Sequence, residues 1–119
     1  MSLEAKLKTL LGPLVDGRAY ADVTPDKPVF PLIVYQGAGG IEQWYVEGKR
    51  REKRHQRMQL YVWSTSRAEA SAIADAIGTA LCESDFPAVE PYGAPVSLYE
   101  EAIKKYGTRQ DFGIWFLPS

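Results

Sequence analysis

The stretch Arg57-Met-Gln-Leu-Tyr-Val-Trp63, followed by Ser64-Thr-Ser66 and an alanine-rich run to Glu83, decides how this chain folds. From Arg57 to Trp63 the residues alternate. Arg57, Gln59, Tyr61 and Trp63 point to one side, and Met58, Leu60 and Val62 to the other. Ser64, Thr65 and Ser66 break the alternation. Ser66 and Glu69 have capping-box spacing, which lets each side chain satisfy a backbone N–H of a first helical turn. Ile73, Ala76, Ile77, Ala80 and Leu81 then recur with helical period. The stretch reads as a strand running into a helix near 67–83. Their junction holds no nucleophile, metal-ligand set or glycine-rich phosphate loop, the features many α/β enzymes place there. It reads as a scaffold.

Working outward, Leu3, Leu7, Leu10 and Leu11 line one face of a first helix near 3–11, capped by Ser2 and stopped by Gly12-Pro13. A turn at Asp16-Gly17 leads to a brief extended piece over Ala19–Val23. Pro25, Pro28 and Pro31 then keep the connection irregular. Phe30–Gln36 is continuously apolar over Leu32–Tyr35, as expected of a strand covered on both faces. Glycines at 37, 39 and 40 end it. Glu42–Glu47 is expected to form a third strand, giving an antiparallel meander with 57–63. Pro87, Pro91, Gly93 and Pro95 predict an irregular loop. Val96–Glu100 reads as extended, with a helical turn over Ser97–Lys105 as the other reading. Gln110–Leu117 closes the chain as a strand with Phe112, Ile114 and Phe116 on one face and Trp115 on the other. The sequence therefore predicts an α+β fold, a mainly antiparallel sheet with two helices packed on one face.

A chain of 119 residues fits one domain, residues 1–119, burying roughly two-thirds of its unfolded surface. The net charge of −1 gives no global attraction to nucleic acid or acidic membranes. No apolar run approaches the ~18 residues of a membrane span, and the N-terminus lacks a signal-peptide pattern. Synthesis and folding in a host cytoplasm follow. Cys82 stands alone, which excludes an intramolecular disulfide and a cysteine zinc site, and it reads as a buried, inert thiol. His55 is also the sole histidine, with no nucleophile partner in the pattern, and reads as an ordinary strand or loop residue.

The basic run is the strongest chemical signal. Lys49, Arg50, Arg51, Lys53, Arg54 and Arg57 are opposed only by Glu52, so a local +5 leaves −6 for the remainder of the chain. It reads as a contact with an acidic protein partner, as a contact with DNA phosphates, or as a solvated loop and strand edge. Tyr61 and Trp63, with Trp44, Tyr45 and Trp115, put aromatics beside arginine and glutamine. That composition suits a protein interface, the alternative being loops that cover it. Glu100-Glu101 and the scattered Asp22, Asp75 and Asp111 show no paired-carboxylate pattern, and Gly37-Ala-Gly39-Gly40 lacks the lysine and serine or threonine of a phosphate loop. Neither a cofactor nor a metal is expected. A small nucleic-acid-binding module using residues 49–57, and a small enzyme whose carboxylates converge only in the fold, are the rival readings.

Pro31-Leu-Ile-Val-Tyr35-Gln36 after a proline-broken loop, and the Arg57–Trp63 strand before a Ser66-to-Leu81 helix, resemble the tail completion proteins of tailed phages. Arg18-Ala-Tyr20 and Tyr106-Gly-Thr-Arg-Gln-Asp-Phe-Gly-Ile-Trp115 fit in order as well. This family is related in fold to the siphophage tail terminator, and some members are prophage-encoded. The resemblance implies a structural role in the virion tail: a ring, commonly a hexamer, on the head-proximal end of the tail tube. Such a ring stops tube growth and helps head–tail joining, with tail-tube and connector proteins as partners and DNA in the lumen. It supplies no catalytic residues.

Overall fold

The computed structural model describes residues 2–42 and 53–117. Helix α1 (Leu3–Leu11) runs into a 3-10 turn at Gly12–Leu14. Strands β1 (Ala19–Ala21), β2 (Leu32–Gly37) and β3 (Arg54–Ser64) follow, then helix α2 (Arg67–Cys82) and strands β4 (Ala88–Glu100) and β5 (Lys105–Phe116). The sheet order is β1-β2-β3-β5-β4. Every pairing is antiparallel except β1 with β2, which is parallel. The α+β class with a mainly antiparallel sheet and two helices is as the patterning required.

Both caps form where the serines stand. Ser2 Oγ accepts from the Ala5 N–H at 3.2 Å and Ser66 Oγ from the Glu69 N–H at 3.3 Å. The second cap departs from a simple capping box. Glu69 Oε1 accepts instead from the hydroxyl of Ser64 at 2.5 Å, and that hydroxyl accepts from the Ser66 N–H at 3.1 Å. Ser64 is fully buried at the end of β3, so its hydroxyl must be satisfied, and it relays Glu69 to the orphan donor.

The core lies between the helices and one sheet face. Leu7 and Leu11 of α1, Ile73, Ile77 and Leu81 of α2, and Met58, Leu60 and Val62 of β3 share it with Ile33, Tyr35, Phe112 and Ile114. The two alanines of α2 that are buried, Ala70 and Ala74, bring its backbone near the strands. Lys6 of α1 pairs with Asp85 and lies over the Phe86 ring at 4.6 Å, fastening α1 to the connection after α2.

Three expectations change, and a fourth lies outside the described residues. Residues 87–95 are mostly strand rather than loop: β4 spans them, with a register shift between Tyr92 and Val96. Among the described strands β4 pairs with β5 alone, so Pro91 and Pro95 sit on an edge, where a missing donor is tolerated. Only Glu101–Lys104 form a turn, and β5 begins at Lys105, five residues earlier than its apolar pattern suggested, because pairing with β3 and β4 extends it. Cys82 is exposed, lying one residue past buried Leu81 and so rotated off the apolar stripe. In the expected strand at Glu42–Glu47, residues from Gln43 onward lie outside the described residues, and β2 pairs directly with β3, Leu32 opposite Trp63.

Candidate interaction surface

No helix lies on the second face of the sheet among the described residues. Cross-strand register assigns its side chains in rows. Tyr20, Val34, Tyr61, Arg109 and Val96 form one row, and Leu32, Trp63, Gly107 and Leu98 another. Gln36, Gln59, Asp111 and Tyr92 form a third, with Arg57, Gly113 and Glu90 beyond it. One half of the face is thus aromatic and aliphatic, the other polar.

The polar half is tied into a network. Arg57 Nε donates to Asp111 Oδ2 at 2.7 Å, and its guanidinium lies over the Tyr92 ring at 5.0 Å. Gln59 Oε1 accepts from Gln36 Nε2 and from the Tyr61 hydroxyl, each at 3.4 Å. His55 sits buried beside them. Its Nδ1 accepts from the Ile41 N–H at 3.1 Å, so the ring proton resides on Nε2, which lies 3.3 Å from the Tyr92 hydroxyl. Trp115 meets the imidazole edge-on at 4.8 Å. Both ring nitrogens are occupied, which leaves no free base.

Two glycines that sequence reasoning passed over make the face flat. A Cβ on Gly107 would stand 2.6 Å from the Trp63 ring, and one on Gly113 would collide with Tyr92 and His55. Glycine inside a strand is the available signal for such an approach.

The structure divides the residues singled out for interaction. Lys49, Arg50 and Arg51 lie outside the described residues. Lys53 is exposed ahead of β3. Arg54 is half-buried opposite Phe116, on the helix side, and its buried Nε lacks a hydrogen-bond partner among the described residues. Arg57 is exposed on the helix-free face. Tyr61 and Trp63 line a trough there with Asp22, Val23, Thr24, Val34 and Gln36. Within the described part of the run, Arg54 and Arg57, an odd number of residues apart, are on opposite faces of the sheet.

Two titratable groups away from this face are shifted by their surroundings. Burial, then the charges of Glu4 and Asp22, push the Tyr35 hydroxyl above its ordinary range. A hydrogen bond and the charge of Lys6 hold exposed Asp85 below the usual carboxylate range. Among the described residues no three His, Cys, Asp or Glu side chains cluster as a metal site. None of the described helices is long and apolar enough to cross a membrane.

The family model described as tail completion protein gp17 matches residues 3–100. The chain belongs to the tail completion protein gp17 family. It is a structural, non-enzymatic component of the phage tail. The match runs from α1 to the end of β4, and β5 completes the sheet beyond it. This tail completion protein also shares its fold with a chain from a structure titled "Virion of native gene transfer agent (GTA) particle". The TM-score is 0.67 and the identity 16%, over 99% of this chain and 96% of that one. No curated protein matches it.

Proposed function

We propose that the chain acts as a single tail-terminator-like domain, residues 1–119, that forms a hexameric ring and caps the tail tube at its head-proximal end. There it stops tube growth and helps join the tail to the head. Membership of the tail completion family carries this reading. A subunit of 119 residues is too small to encircle a DNA-width channel, so a terminator must repeat about an axis. The helix-free face, with Arg57, Tyr61 and Trp63 at hand, suits contact between subunits or with the tube.

In the same reading the basic run meets acid across an interface. Lys49, Arg50, Arg51, Lys53 and Arg54 repel one another, and an adjacent subunit or the tube end supplies the opposite charge; DNA in the lumen is the other anion within reach. Mixing the protein with tube subunits and imaging the tubes tests the function. Capped ends and restricted length are expected; undecorated ends and unchanged length refute it. Changing Arg50, Arg51 and Lys53 together to glutamate is expected to leave the monomer folded and weaken assembly, most of all at low salt.

A further inference from the structure

The turn between β4 and β5 has the chemistry of a peg. Ile103 is 47% exposed on it, and Tyr99 and Tyr106, 49% and 38% exposed, meet at its base in a tilted contact with ring centroids 4.9 Å apart. Large apolar side chains gathered at a loop tip are costly to leave in water and mark a contact. Exposed Glu101 opens the turn and exposed Lys104 closes it, so the tip carries opposite charges at its two ends.

The trough on the helix-free face has the matching pattern. Tyr61, Trp63 and Val34 form its floor, and Asp22, with Val23 and Thr24, lies on the β1 side. Arg109, exposed and opposite Tyr61 in the β3–β5 register, lies on the β5 side. A cation on one flank and a carboxylate on the other face the reverse pair on the turn. The edges of the sheet offer no rival route: β1 has three residues, and β4 carries Pro91, Pro95 and a register shift.

We propose that the β4–β5 turn of one copy seats in the Tyr61–Trp63 trough of the next. Ile103 lies on the aromatics, Glu101 faces Arg109 and Lys104 faces Asp22. The contact joins two different patches, so it is heterologous and propagates from copy to copy until a ring closes. This inference rests on the ring reading above and names the surfaces that would build it.

Charge reversal tests it by mass photometry of the full chain, alone and with tube ends. Arg109→Glu and Glu101→Arg are each expected to weaken ring formation about five-fold per contact at low salt, and the double variant to restore it. Ile103→Ser is expected to weaken it in either salt condition. Equal mixtures of the two charge variants are expected to recover rings in which the variants alternate, because every contact then joins opposite charges. All sites are exposed, and unchanged melting temperatures confirm folding. Rings formed equally by all variants, or a double variant as weak as the singles, overturn the contact while leaving the ring. Loss of tube binding with self-association intact assigns the trough to the tube protein and also overturns it. A wild-type chain that forms no ring with or without tubes refutes the ring reading itself.

Discussion

The two faces of β3 are written in one alternating strand yet serve opposite ends. Met58, Leu60 and Val62 are sealed beneath the helices, while Gln59, Tyr61 and Trp63 remain half-exposed on the other side. The covered face is fixed by apolar burial, which tolerates little change. The open face is held by a hydrogen-bonded network and by aromatics lying over glycine, which leaves it flat among the described residues.

Truncation gives the largest contrast between the faces. Leu60→Ala is expected to lose about 2–5 kcal/mol in urea unfolding, because the cavity lies at the centre of the core. Arg109→Ala on the open face is expected to stay within about 0.5 kcal/mol. Similar losses would erase the distinction.

Gly113→Ala sharpens it from the other side. The new methyl meets Tyr92 and His55, and a loss of about 1–3 kcal/mol is expected. The loss should shrink in a Tyr92→Ala background, since Tyr92 supplies two of the three nearest atoms. An undiminished loss would mean that the open face is not organised by that approach.

The α2 helix on the covered side allows two finer tests. Ser66→Ala removes an N-cap and is expected to cost about 1 kcal/mol. Gly78→Ala is expected to stabilise by slightly less, about 0.5–1 kcal/mol, since nothing lies within 4 Å of the added Cβ. Thermal melts of the two variants should shift in opposite directions.

The smallest effect concerns Asp85 at the α1 junction. Lys6 lowers its folded-state pKa, so the ion pair contributes stability above the ordinary carboxylate value, lost as pH falls through the folded one. Asp85→Asn is expected to flatten the acid limb of the stability profile slightly, and added salt to diminish the difference.

The elements that periodicity defines were legible without a structure. The Ser2 and Ser66 caps, the leucine stripe of α1, the core side of α2 and the inward residues of β3 and β5 each follow from local spacing. Local spacing is enough because a buried stripe leaves the same mark whatever it packs against. Val96–Glu100 of β4 read as extended, but its first part over 88–95 was not legible, since its prolines and glycine mark breaks unless the strand is known to lie on an edge. Nor was the detour of Glu69 through Ser64, which depends on where the strand end meets the helix start. The exposure of Cys82 turned on a single residue's rotation at the end of α2.

Sequence patterning by itself determined the class of this protein and the faces of its main elements, because repeating patterns encode burial one element at a time; its place among tail completion proteins rests on resemblance to that family. Tertiary structure alone decided which face carries no helix among the described residues, and that Trp63, Tyr92 and His55 lie against glycines of β5. Those are relations between strands distant in sequence. They are set by pairing register and packing, which no local pattern contains.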